Sequence, residues 1–394
     1  MRPIDTKMSA NKFGCAMTYF GLSLNQNGTL SPCCQYEHFN RETRQYIDRI
    51  LFDDHQRYVD TISRRMHDDA LNNIRHEGCV KCWQEEDLGA RSLRLWLNER
   101  FPYDPKTIDV SVDHPIKHLE VRFGNICNLK CIMCFPKNSS SVAHEQSKHE
   151  EAFKSIGIYN PIPKTPNFWE SPKFPLFQEK IFKHAESVNI SGGEPIIVPE
   201  FIGVLEYIGK NNPDVKVSIS TNLSILTDDI FDKLSKIKNL WMNISVEGIG
   251  VMNDYLRYPS TWDALLENIR KIQSIPNVGI TLCHTFQHTS VYAIPDLMKF
   301  VNENKMFLHL NPVQGMDRLK LSSVPPSQIE KFREWAVKSD SIPTEHRAFI
   351  LNSIEDAVFN QSHHTDFMNY VHLLDSIRGT SFEETFGLDK EEIV

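Results

Sequence analysis

Three cysteines spaced Cys127-x3-Cys131-x2-Cys134 carry the strongest chemical signal in this 394-residue chain. They lie in the run Val121-Arg-Phe-Gly-Asn-Ile-Cys-Asn-Leu-Lys-Cys-Ile-Met-Cys134. Three thiolates on one short loop can hold three irons of a four-iron, four-sulfur cluster, which leaves the fourth iron open to a small molecule. Structural cysteine sites fill every metal position. A set that stops at three therefore points to chemistry at the metal.

The other cysteines are not scattered. Eight of the nine fall within the first 134 residues, and only Cys283 lies beyond. Met1-Arg-Pro-Ile-Asp-Thr-Lys lacks the apolar stretch of a signal peptide, and no apolar run reaches the length of a membrane span. The expectation is a cytoplasmic protein whose cysteines bind metal instead of forming disulfides. The net charge of −8 gives no general attraction to phosphate backbones or anionic lipid.

These residues need a scaffold. From about residue 117, apolar β-prone runs alternate with amphipathic ones. The predicted strands are His118–Phe123, Ser187–Ser191, Val215–Thr221, Leu240–Val246, Gly279–Phe286 and Met306–Val313. The predicted helices between them include Pro199–Gly209, Thr227–Lys236, Thr261–Ile272 and Tyr292–Glu303. Such alternation implies an α/β fold with a parallel sheet, here a partial (β/α)6 TIM-like barrel whose ligands sit at the carboxyl ends of the strands. The cysteine loop directly follows the first strand, on that rim. The long first crossover, with its many prolines around 161–172, predicts a helix plus an ordered loop, either a cover for the substrate or a surface insertion. Met17–Ser23 and Thr29–Pro32 predict a hairpin, residues 42–76 a helical segment, and the last 75 residues further helices. Three parts follow: 1–112, 113–315 and a helical extension over 316–394.

At Cys127-Asn-Leu-Lys-Cys-Ile-Met-Cys134 the chain resembles the radical S-adenosylmethionine (SAM) enzymes. The resemblance continues at Ser191-Gly-Gly-Glu-Pro195, Ser220-Thr-Asn222, Ser245-Val-Glu-Gly248 and Arg257. It implies a cluster on Cys127, Cys131 and Cys134 whose open iron chelates S-adenosylmethionine. One-electron cleavage of the sulfonium would give a 5′-deoxyadenosyl radical able to take hydrogen from an unactivated carbon. Gly192 and Gly193 would let the backbone approach the methionyl amine, with Glu194 accepting from that ammonium and Pro195 completing the segment. Ser220, Asn222 and Glu247 suit ribose hydroxyls or the polar end of the ligand, and Arg257 suits its carboxylate. Met133 stands where the family often has an aromatic residue near adenine. Read without the resemblance, Asn222 and Glu247 are also ordinary turn or cap residues, Arg257 a surface helix residue, and the three cysteines a zinc site or buried thiols.

A second constellation lies upstream. Cys15, then Gly28-Thr-Leu-Ser-Pro-Cys33, resembles the cysteine hairpin of SPASM and twitch auxiliary-cluster domains, and Gly78-Cys-Val-Lys-Cys82 supplies a close pair. The resemblance implies a second four-iron cluster on Cys15, Cys33, Cys79 and Cys82; Cys34 could replace Cys33, and a zinc knuckle is the structural alternative. The run Gly89-Ala-Arg-Ser-Leu-Arg94 resembles that of radical proteins carrying such a segment ahead of the barrel. Cys283 lies in a predicted strand, either in the core or as a hydrogen donor to a product radical.

Two function classes follow. One is a radical enzyme with two clusters, S-adenosylmethionine, an electron donor such as flavodoxin or ferredoxin, and a small-molecule, peptide or nucleotide substrate. The other is a non-catalytic zinc or iron–sulfur scaffold or electron carrier.

Overall fold

The computed structural model describes residues 12–37, 39–40, 45–46, 50–87, 92–110, 116–161 and 167–388. Among the described residues, ten strands are found: β1 Gly21–Leu24, β2 Leu30–Ser31, β3 Phe39–Asn40, β4 Gln45–Tyr46, β5 His118–Phe123, β6 Ser187–Gly192, β7 Lys216–Thr221, β8 Asn239–Ser245, β9 Gly279–Phe286 and β10 Phe307–Pro312. Eight of them form one open sheet in the order β10-β9-β8-β7-β6-β5-β1-β2. The chain divides into two compact units, one built from Met1–Gly124, Lys164–Ile219 and Lys236–Leu240, the other from Asn125–Pro163, Ser220–Ser235 and Trp241–Val394.

In the first unit, β5 and β6 pair in parallel from His118↔Ser187 to Phe123↔Gly192, and β6 pairs β7 from Ser187↔Lys216 to Ile190↔Ile219. The strand ends read from the sequence match these within a residue or so, because each strand is a short apolar alternation bounded by polar turns. The predicted hairpin is real but shifted. Met17–Phe20 forms a helical turn, and only Gly21–Leu24 pairs antiparallel with Leu30–Ser31. Its turn closes through Gly28 N to Asn25 O at 2.8 Å, with Gly28 at φ +78°, the left-handed region that favours glycine. β1 then pairs in parallel with β5, Gly21↔His118 through Leu24↔Val121, so the hairpin extends the sheet beyond six strands.

Two other expectations change. Residues 42–76 are not one helix. β3 and β4 pair with each other, Leu51 bridges Thr29, and helical structure begins only at His55 and ends at Leu71. Residues 41–44 and 47–49 lie outside the described part. The second half of the first crossover, from 167, packs aromatic side chains into the first unit. Phe168 and Trp169 are buried, and Phe123 lies 5.7 Å and 5.4 Å from their rings, so this stretch is core, held by aromatic burial worth about 1.5–3 kcal/mol per ring. Residues 162–166 of that crossover lie outside the described part.

In the second unit, β8–β9 and β9–β10 continue in parallel, from Trp241↔Gly279 and Phe307↔Thr281. The C-terminal helices are Pro326–Lys338, Thr344–Glu355, Gln361–Arg378 and Phe382–Phe386. Phe367, Tyr370, Leu374 and Phe382 share one core with Ile132 of the cysteine loop and with Leu256 and Met316. Among the described residues, no helix is long and apolar enough to cross a membrane.

Candidate active site

The three-cysteine loop is tied down from several sides within the second unit. Ser140 N donates to Asn125 O (2.7 Å), and Cys127 N donates to Ser140 Oγ (3.1 Å). Ser141 Oγ donates to Cys127 O (2.7 Å). Ser139 caps the helix Ser140–Lys148 and reaches back to Leu129 O (2.8 Å). Lys130 N and Ile132 N donate to Tyr258 O and Leu256 O at 2.7 and 3.1 Å, and Tyr370 OH donates to Ile132 O at 2.9 Å. A loop with its backbone groups paired this way holds its thiols in fixed directions.

Arg378 is the deepest anchor. It forks onto Glu145 (Nε–Oε1 3.1 Å, NH2–Oε2 2.7 Å) and also donates to Lys130 O at 2.8 Å. Both side chains are nearly fully buried. Removing Arg378 leaves Glu145 with only the partly exposed Lys130 ammonium, 3.5 Å away, at a cost of about 1–3 kcal/mol. Arg378→Ala is therefore expected to lower unfolding stability by that amount in denaturant titration and to lower iron incorporation with it. Unchanged stability would mean that the pair does not anchor the loop.

The thiols sit in a shared electrostatic field. Cys131 is buried, and Cys127 and Cys134 are half-buried. Burial pushes Cys134 up to about 12, with Cys131 and Cys127 adding to the rise. Burial also raises Cys131, while the Arg257 guanidinium lowers it. Thiols this hard to ionise alone are suited to a site where bound metal supplies the positive charge. Arg257 is buried and donates to Glu247 Oε1 at 3.2 Å; burial works against its charge, and its nearness to Cys131, Glu247, Cys127 and Cys134 outweighs that. Glu247 is buried and pushed up to about 7 by desolvation, against the pull of Arg257 and two hydrogen bonds from Thr285. Arg257 is thus not a surface residue but an internal cation beside the cysteines.

Asn222 belongs to the loop as well. Its Nδ2 donates to Asn128 Oδ1 at 3.1 Å and lies 3.9 Å from Cys127 Sγ, while its Oδ1 accepts from Ser224 N and Oγ at 2.9 and 2.6 Å. Asn128 Nδ2 completes the triangle on Ser224 Oγ at 2.8 Å. Its visible work is holding the Cys127 turn. Ser220 is half-buried, and Met133 packs at the edge of the core that contains Ile132. Cys283 is half-buried, pushed up to about 12 by burial and by Glu247. His284 is fully buried between Val246 O (3.2 Å) and Ser290 Oγ (2.7 Å), which removes it from contact with a substrate. The sequence reading missed Thr285; its place two residues beyond Cys283, on the same strand face, was the available signal.

The Gly-Gly-Glu-Pro segment lies in the first unit. Gly192 has φ +155°, and a Cβ there would come 2.3 Å from Phe123 O, so its glycine is required by the approach of β5. Gly193 N donates to Gly124 O at 3.1 Å. Glu194 is buried and accepts from Ile196 N at 3.2 Å, capping the turn Pro195–Ile197.

Residues 121–284 match the family model of the Radical SAM superfamily. This stretch is similar to that superfamily. It contains the cysteine loop, Asn222, Glu247, Arg257 and Cys283. An uncharacterized protein of Methanocaldococcus jannaschii is 28% identical over 196 residues, covering 47% of this chain and 57% of that protein. The chain therefore matches little more than half of that relative's length. Among solved structures, Streptococcus suis SuiB bound to precursor peptide SuiA aligns with 95% of this chain and 78% of its own, at 14% identity and TM-score 0.38. Native anSMEcpe with bound AdoMet aligns with 56% and 58%, at 16% identity and TM-score 0.37. Likeness at these TM-scores decides nothing about activity.

The first unit gathers the other predicted ligands. Cys15, Cys33, Cys79 and Cys82 line one pocket with Gln35 and Arg94. Among the described residues, no set of three or more His, Cys, Asp or Glu side chains is placed to hold a metal ion. Burial pushes Cys15 up to about 12 and raises Cys33, Cys79 and Cys82. Several of these thiols also raise one another, which marks their proximity. Arg94 forks onto Glu86 (Nε–Oε1 2.9 Å, NH2–Oε2 2.7 Å) and donates to Gly14 O at 2.7 Å, fixing the segment before Cys15. Tyr36 OH pairs with His76 Nε2 at 3.0 Å, and Cys79 N donates to His76 O at 3.1 Å. Gly78 leaves no room for a Cβ, which would lie 2.3 Å from the Tyr36 ring. Cys34 does not line the pocket; its thiol faces Glu120 and Arg122. Of the run 89–94, residues 89–91 lie outside the described part.

Proposed function

We propose that the chain is a radical S-adenosylmethionine enzyme that cleaves S-adenosylmethionine reductively and abstracts hydrogen from a substrate of unidentified class. The observation that carries this reading is the buttressed three-cysteine loop inside the stretch that matches the superfamily, with the buried Arg257 cation beside all three thiols. Cys127, Cys131 and Cys134 would hold three irons. When bound, that cluster would supply the electron that breaks the sulfonium and yields methionine and a 5′-deoxyadenosyl radical. Arg257, one of whose donors engages Glu247, has further donors for a carboxylate. Asn222 orients the Cys127 turn. Gly192, Gly193, Glu194, Pro195, Ser220, Glu247 and Met133 are the remaining proposed contacts to S-adenosylmethionine.

The reading extends to three parts: 1–112 as an auxiliary-cluster region, 113–315 as the radical domain, 316–394 as a helical extension that supports the cysteine loop. Cys15, Cys33, Cys79 and Cys82 would ligate a second, fully coordinated four-iron cluster. The pocket they share supports Cys33 over Cys34 as the fourth ligand. Such a cluster would have no open iron and would pass an electron to or from the substrate, and the enzyme would draw on an electron donor such as flavodoxin or ferredoxin. The test is paramagnetic resonance of the reduced, reconstituted protein. One signal is expected to change on adding S-adenosylmethionine while the other does not. Two signals that both ignore S-adenosylmethionine would contradict the reading.

A further inference from the structure

Four neighbouring strands of the first unit carry two contrasting rows. In register, Leu22, Leu119, Val188 and Val217 stand side by side, each essentially fully buried. One residue further on, and therefore on the opposite face, stand Ser23, Glu120, Asn189 and Ser218. Parallel strands covered on both faces ordinarily read apolar on both. Here one face is polar along its length.

Among the described residues, three atoms of that row have no hydrogen-bond partner: Ser23 Oγ, Glu120 Oε2 and Asn189 Oδ1. Ser23 is fully buried and Glu120 is 5% exposed. An unpaired buried polar atom costs about 1–3 kcal/mol, more when it is charged, and a row of three is not kept for stability. The other carboxylate oxygen of Glu120 lies 3.6 Å from His118 Nε2. Burial pushes the Glu120 carboxyl up, but His118, the Cys34 thiol and Arg122 together hold it below its ordinary value. Arg122 donates to Cys34 O at 2.9 Å, which joins this face to the segment carrying the pocket cysteine Cys33.

We infer that the row Ser23–Glu120–Asn189 is a recognition site for a primary ammonium group of the substrate. Three atoms able to accept wait there, one of them a carboxylate oxygen, and an ammonium head brings three donors in a compact charge. A carboxylate or phosphate would bring only acceptors against acceptors. This inference deepens the proposed function and rests on it: the radical enzyme would act on an amine-bearing molecule whose amine sits beside the segment of Cys33 and Cys34.

Crystals of the reconstituted chain soaked in propylammonium chloride, 1-propanol or sodium propionate test it. Propylammonium is expected with its nitrogen about 3 Å from Glu120 Oε2 and from at least one of the other two atoms, and propionate is not expected at all. By calorimetric titration with propylammonium, Glu120→Gln is expected to bind about tenfold or more weakly, and Asn189→Asp about tenfold more tightly. Circular dichroism checks that each variant is folded. Ordered water alone in all three soaks, propionate bound as well as propylammonium, or wild-type affinity in Glu120→Gln would each overturn the inference. Formation of 5′-deoxyadenosine by the unaltered protein is a separate readout. Its absence would count against the proposed function, whereas the propylammonium soak decides the recognition site.

Discussion

Cys131→Ala is expected to abolish 5′-deoxyadenosine formation and to remove about half of the bound iron, the share of one of two four-iron clusters. Cys131 is the most buried of the three loop cysteines, and its neighbour Ile132 is fixed by Leu256, Tyr370 and the C-terminal core. Its thiol direction is therefore the least able to be replaced by another donor. A cluster with two protein ligands would lose its hold. Iron analysis and chromatography of the nucleoside product read both effects. Retained 5′-deoxyadenosine in the variant would remove Cys131 from the reaction.

The second large effect belongs to the amino-terminal cysteines. Replacing Cys79 and Cys82 together by alanine is expected to remove the other half of the iron and abolish substrate turnover. The resonance signal that responds to S-adenosylmethionine is expected to remain. The two sets of ligands lie in different units, so each should load on its own. Gly78 packed against Tyr36 and Cys79 N bonded to His76 O make the pair rigid, and alanine changes neither. A folded double variant with unchanged substrate turnover would show that this pocket is not used in the reaction. Full zinc occupancy without iron in the unaltered protein would make it a structural site.

Much of the fold was legible because each parallel strand is a compact apolar run between polar turns. The cysteine loop was legible because its spacing is local. What failed was long-range. Residues 42–76 look helical by composition, yet the stretch around Leu51 is recruited to bridge Thr29, and nothing in the local pattern announces that pairing. The prolines of the first crossover suggest an exposed loop, while Phe168 and Trp169 are claimed by Phe123. At the site, Gly192 is legible as a glycine of close approach, but the approaching group is the neighbouring strand. Arg257 reads equally as surface or site until Glu247 and the three thiols surround it. The polar face of β5 was written as His118-x-Glu120-x-Arg122, and its meaning required the registers of β1, β6 and β7.

The central claim is cleavage of S-adenosylmethionine at the Cys127–Cys134 loop. It is tested most directly by anaerobic reconstitution with iron and sulfide, reduction with dithionite, addition of S-adenosylmethionine and chromatography of the nucleosides. Formation of 5′-deoxyadenosine and methionine in equal amounts, even slowly and without substrate, is the expected result. A fully loaded, reduced protein that leaves S-adenosylmethionine intact would contradict the account.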